Sequence, residues 1–149
     1  MRERPRQQHQ PAGEGEEADR NEGDAGTTPF TFTISRSGAD LSGASSVIYS
    51  VSGSANAADF GGALPSGSVI FAANETQATL TINVSGDTTI EPDETFTISL
   101  SSPAGATIGT GSALAVIRND DFPPPTLSFA ADQASLLEGD SGTTNFTFT

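Results

Sequence analysis

The acids of this 149-residue chain gather in loops at the ends of β-like runs. Glu22 and Asp24 stand before the first run, and Asp59 lies in the loop Ala-Ala-Asp-Phe-Gly-Gly at residues 57–62. Asp87, Glu91, Asp93 and Glu94 share residues 86–94, and Asn119, Asp120 and Asp121 follow the last run. Carboxylates, amides and carbonyls on flexible loops are the oxygen donors that hard cations take. Calcium takes six to eight of them and needs neither His nor Cys. Acids that merely keep turns solvated produce the same pattern. Spacing leaves both readings open.

Other chemistry is excluded by what is missing. The chain has no Cys, no Trp, no Lys and one His, His9, set among Arg, Gln and Pro. Thiol nucleophiles, disulfides, Cys-based zinc sites, Schiff-base lysines and the P-loop lysine are therefore absent, and a Ser-His-Asp triad would have to recruit His9. Asp140-Ser141-Gly142 fits the aspartic-protease pattern, but the matching Asp24-Ala25-Gly26 lacks the hydroxyl. A carboxylate pair for glycoside hydrolysis would have little aromatic surface to stack a sugar on, with one Tyr and no Trp. Asn74-Glu75-Thr76, Asn83-Val84-Ser85 and Asn145-Phe146-Thr147 fit the glycosylation pattern, which Thr/Ser-rich chains produce by chance. The residues point to no enzyme.

Charge limits the partners. The formal net charge is -13, and residues 21–149 carry only Arg36 and Arg118 against fourteen acids. Such a surface repels phosphate backbones and anionic lipid, so neither nucleic-acid binding nor membrane insertion is expected. No apolar run reaches the length of a membrane span, and the first twenty residues lack the apolar core of a signal peptide.

The elements that must position the acids read as strands. Phe30, Phe32 and Ile34 alternate with Thr31, Thr33 and Ser35; Val47, Tyr49 and Val51 repeat the period. Val69 and Phe71 form a short run, and Ala78, Leu80, Ile82 and Val84 a longer one. Phe96, Ile98 and Leu100 follow, then the all-apolar run 113–117. Period-two runs broken by Gly, Pro, Asp and Asn predict an all-β, immunoglobulin-like antiparallel β-sandwich with one wet face per sheet. Two strands separate the 86–94 loop from residues 119–121, so the two acidic clusters can meet at one pole.

The chain also repeats itself. Residues 22–33, EGDAGTTPFTFT, recur at 138–149 as EGDSGTTNFTFT, ten of twelve positions matching at an offset of 116. The second copy is preceded by the strand-like Thr126-Leu127-Ser128-Phe129-Ala130, the first by Gln10-Pro11-Ala12-Gly13-Glu14. The expected organisation is a disordered segment 1–21, a sandwich at 22–121, a Pro-rich linker at 122–125 and the truncated start of a second repeat at 126–149. The sandwich is expected to lack its first strand, which makes head-to-tail self-association a further expectation.

Four ordered motifs carry a resemblance. NAADF at 56–60, GSVIF at 67–71, DTTIEPDETFTISL at 87–100 and IRNDD at 117–121 resemble the Calx-beta repeat, as does the opening Glu22-Gly23-Asp24. The resemblance implies a seven-stranded sandwich that binds Ca2+ through Glu22, Asp59, Asp87, Glu91, Asp120 and Asp121. It implies calcium ions and neighbouring repeats as partners. Two departures, Gly86 beside Asp87 and Asn119 where a third acid can stand, remove charge and imply fewer ions or weaker affinity. Function is then a calcium-binding structural or adhesion repeat of a multidomain extracellular or cell-surface protein from the bacterial tandem-repeat branch. An intracellular calcium sensor of the sodium–calcium exchanger type and a metal-free spacer are the alternatives. Without a signal sequence, an extracellular location requires the chain to be a fragment or to have a misplaced start.

Overall fold

The computed structural model describes residues 18–130 and 135–148. Seven strands form two sheets: β1 (Asp19–Asn21), β2 (Thr27–Ser35), β3 (Ser45–Gly53), β4 (Ser66–Phe71), β5 (Gln77–Ser85), β6 (Glu94–Ala104) and β7 (Ser112–Arg118). One sheet has the order β1-β7-β6-β3-β4 and the other is the pair β2-β5. All pairings are antiparallel except β1 with β7, which is parallel. Every strand expected from alternation between residues 30 and 117 is present.

The alternation has a simple cause. Successive side chains in a strand point to opposite faces, so Phe30, Phe32, Leu80, Ile82 and Val84 of the small sheet meet Val51, Phe96, Ile98, Ala115 and Ile117 of the large one. Phe30 and Phe96 are wholly buried, with ring centroids 5.3 Å apart in an edge-on contact. Phe32 and Phe60 also meet Phe96 edge-on. Val47, Val69 and Phe71 form a second apolar cluster away from the acidic end. The threonines that alternate with this core in β2 and β5 face outward, half-buried or exposed.

At that far end Arg36 holds the loops. Its guanidinium donates to the carbonyls of Leu41, Gly43, Ala72 and Glu75 and to Ser45 Oγ, at 2.8–3.2 Å, and lies 5.5 Å from the centre of the Phe71 ring. A fork of five donors suits this; an ammonium does not. Arg36→Ala should cost about 2 kcal/mol, and Arg36→Lys most of that, because several carbonyls lose a charged partner. Urea denaturation measures both; a lysine variant as stable as wild type would show that charge alone suffices.

The structure corrects the reading at both termini. A strand does precede Glu22: β1 pairs Asp19, Arg20 and Asn21 with Val116, Ile117 and Arg118. The described chain therefore opens on a short strand just before Glu22, distinct from the counterpart of residues 126–130, and the segment expected to be disordered to residue 21 is ordered from Ala18. Residues 10–14, the counterpart of 126–130, lie outside the described residues, as does His9. Residues 126–130, expected as a strand, form none. The repeated motif takes one local form at both places. Thr28 Oγ1 donates to the Glu22 carbonyl at 2.5 Å and Thr144 Oγ1 to that of Glu138 at 2.9 Å. Gly23, Gly26, Gly139 and Gly142 all have positive φ, which explains why these glycines recur.

Candidate metal centre

The acidic pole is built where β1, β5 and β7 end and β6 begins. Glu22 follows β1, and its amide continues the ladder by donating to the Arg118 carbonyl at 3.1 Å. That bond carries its side chain inward, leaving Glu22 only 3 % exposed. Burial pushes its carboxyl up from 4.5 to about 7, helped by Asp87, Glu91, Asp121 and Asp120. Every charged neighbour that moves it is another acid. Four of the other five expected ligands thus lie around this one buried carboxyl.

Loop contacts fix the other acids. Asp87 Oδ1 accepts from the Thr89 amide at 2.6 Å, and hydrogen bonds from Thr89 hold this exposed carboxyl below its usual range. Asp120 Oδ1 accepts from the Gly23 amide at 3.1 Å, tying the chain after β7 to the chain after β1. Asp121 Oδ2 is buried with no hydrogen-bond partner, and burial, then Asp24, Asp120 and Asp87, raise its carboxyl. Arg118 is engaged elsewhere, by Asp19 and Asp93 at 2.7 Å each.

The sixth residue, Asp59, sits in a short 3-10 turn (Ala58–Phe60) and is itself buried. Phe60, edge-on to Phe96, anchors that turn to the core, and Asp59 Oδ2 accepts from the Asn56 amide at 2.6 Å. Asp59 reaches the rest through Glu94, whose carboxyl is raised by burial, by Asp59, which it hydrogen-bonds, and by Glu91. Glu94 was not among the expected ligands. Its signal was in the strand period, since Glu94, Phe96 and Ile98 share the inward face of β6. Asn119, read only as a lost acid, is a clamp: its Oδ1 accepts from the Glu91 amide at 3.0 Å and its Nδ2 donates to the Asp121 carbonyl at 2.9 Å.

The donors suit a hard cation: carboxylates on loops, no sulfur and no imidazole. A partnerless buried carboxylate oxygen and a buried glutamate surrounded by acids are what a cation would satisfy. Among the described residues, no three acids stand arranged to hold a metal ion as they are, so binding would draw the loops inward.

Fold and pole together define a seven-stranded immunoglobulin-like sandwich with an anionic end. The Calx-beta domain profile matches residues 16–121, and the chain belongs to that family. Among solved structures it is similar to the calcium binding domain CBD12 of CALX1.1, with 29% identity and a TM-score of 0.60 over 69% of this chain and 41% of that one. CBD12 from CALX1.2 matches with 27% identity and a TM-score of 0.61 over 78% and 46% of the two chains. The apo-form Calx CBD1 domain matches with 28% identity and a TM-score of 0.59 over 70% and 92%. This chain thus spans less than half the length of the two CBD12 chains. No curated protein matches it.

Proposed function

We propose that this domain is a non-catalytic calcium-binding module, and that it serves as a structural or adhesion repeat in a multidomain extracellular or cell-surface protein. The observation that carries calcium binding is the pole itself: Glu22 is buried among Asp87, Glu91, Asp120 and Asp121, and Asp121 Oδ2 has no partner. Those residues and Asp59, with Glu94 behind them, would hold the ion. Bound calcium would neutralise carboxylates that otherwise repel one another across the ends of β1, β5 and β7, and so stiffen the exit towards residues 122–125. The repeated motif at 138–149 supports an array of such modules. An intracellular sensor is the second reading, supported by the likeness to CBD12 of CALX1.1.

Affinity separates the readings. Extracellular modules bind calcium at about 0.1–1 mM and sensors roughly a hundredfold or more tighter. Isothermal titration gives the constant, and no heat above the magnesium control would leave a metal-free spacer. With the weaker affinity, millimolar calcium should stabilise the fold by roughly 0.4–1.5 kcal/mol, a rise of several degrees in melting temperature over EDTA.

Asp87→Asn and Asp120→Asn should abolish most of that rise. Each removes one charge, while an amide oxygen can still accept from Thr89 and Gly23 respectively. Asp40, whose carboxylate accepts from the Ser42 amide and hydroxyl outside the pole, is the control. Asp40→Asn should keep the full response. Equal responses in all three variants would mean general charge screening and no site.

A further inference from the structure

The two sheets part at the end opposite the acidic pole. A cleft of about 1140 Å³ opens there, lined by Phe32 and Ile34 of β2, Ala113 of β7, and Leu41, Leu100 and Ile108. Strand directions say what kind of segment fits. β7 runs towards the pole, ending at Arg118, and β2 runs away from it, starting beside Gly26, whose carbonyl accepts from the Gly86 amide. β1 is parallel to β7 and covers only Val116–Arg118. A strand extending β1 backwards along β7 would run from the far end past Ser112 and Ala113, antiparallel to β2. The cleft lies beside the line such an extension would take.

In the sequence of the first repeat the equivalent stretch is Gln10-Pro11-Ala12-Gly13-Glu14, which has no Val, Ile, Leu or Phe to set against Phe32, Ile34, Leu100 and Ile108 of the cleft. In the second it is Thr126-Leu127-Ser128-Phe129-Ala130, whose period of two puts Leu127 and Phe129 on one face. Leu127 and Phe129 are 95% and 90% exposed, the Phe129 ring meeting that of Phe148 edge-on at 6.1 Å. We propose that the cleft receives residues 126–130 of a second copy of this chain, laid antiparallel to β2 with Leu127 and Phe129 inward. The chain's own segment cannot make this contact. Asp121 is held at the pole, its carbonyl accepting from Asn119 Nδ2, and the five residue steps from it to Thr126 span at most about 18 Å, whereas the segment must begin at the far end of β7, whose seven residues span about 23 Å. Donor and acceptor surfaces differ, so the contact is head-to-tail and builds open chains.

The contact lies away from the acids and needs no calcium, so it is tested in EDTA. In sedimentation velocity, the mass of the full chain should climb with concentration to more than double the monomer's. Leu127→Asp/Phe129→Asp, in a segment without secondary structure, should hold the protein monomeric with unchanged circular dichroism. Ile108→Arg should do the same from the acceptor side, and an added peptide of residues 124–138 should return the wild type to monomer bearing peptide. A wild type that stays monomeric and ignores the peptide overturns the proposal, as when residues 10–17 already fill the cleft. So does association that survives the Leu127/Phe129 change. Association that Ile108→Arg and the peptide both leave intact would be tail-to-tail stickiness, and overturns it equally.

Discussion

Glu22→Gln should melt higher than the wild type at pH 8 in EDTA, and lose the calcium response. The Glu22 carboxyl is raised from 4.5 to about 7 in the folded protein. In that interval the folded chain holds a proton that the unfolded chain has released, so stability falls as pH rises from about 4.5 through 7. Below 4.5 the acid is neutral in both states and costs nothing. At pH 8 it is charged in both, and the folded state carries the whole penalty of a buried, surrounded carboxylate. At 1.36 kcal/mol per pH unit that penalty is at most about 3 kcal/mol. Glutamine has the shape of the protonated acid, so the gain should be largest at pH 8 and vanish near pH 4. Asp121 and Glu94 are raised as well and act in the same sense, while Asp19, Asp40 and Asp87 are lowered and act at acid pH. Comparing the two proteins at each pH cancels these shared contributions. Melting curves across the range decide the matter. A glutamine variant that melts lower at pH 8 would show that the ionised carboxylate stabilises the empty fold.

Most of the sandwich was legible because its strands are written in side chains. Phe30, Phe32, Leu80, Ile82, Phe96 and Ile98 fall on core faces, and their alternation is the physical cause of the sheets. β1 was not legible, because hydrogen bonds and charge hold it, not an apolar pattern. Its ladder continues at both ends, from the Val116 amide to the Ala18 carbonyl and from the Glu22 amide to the Arg118 carbonyl. Asp19 adds the ion pair with Arg118. A three-residue strand reading Asp-Arg-Asn gives a hydrophobic pattern nothing to find. Residues 126–130 fail the other way, having the pattern without forming a strand. At the pole, the meeting of residues 86–94 with 119–121 followed from counting strands between loops. Asn119 did not, since its role depends on the Glu91 amide and the Asp121 carbonyl, which lie at contact distance only in the fold.

Gly86→Asp should damage the domain rather than improve its affinity. The family resemblance implies paired acids before the acidic turn, and Gly86 then reads as a lost ligand whose restoration would recover charge. Its surroundings say otherwise. A Cβ on Gly86 would stand 2.1 Å from the Gly23 carbonyl oxygen, 2.8 Å from its carbon and 2.9 Å from the Glu22 carbonyl oxygen. These are backbone atoms, so no side-chain rotation relieves the clash. The Gly86 amide also donates to the Gly26 carbonyl at 3.1 Å, which fixes the approach from its own side. Any side chain must push away the turn that follows β1. That turn carries the Gly23 amide bonded to Asp120 and the backbone that points Glu22 inward. Gly86→Ala should therefore cost about 3 kcal/mol, the upper range for forcing atoms into a packed site, and weaken calcium binding although it removes no charge. Gly86→Asp should cost at least as much. Denaturant unfolding of both variants, with titration of whatever remains folded, makes the comparison. If Gly86→Asp keeps wild-type stability and binds calcium more tightly, the glycine is a missing ligand after all. If alanine alone is as harmful as aspartate, the glycine is what lets the two turns come close enough to bring Glu22 and Asp120 together.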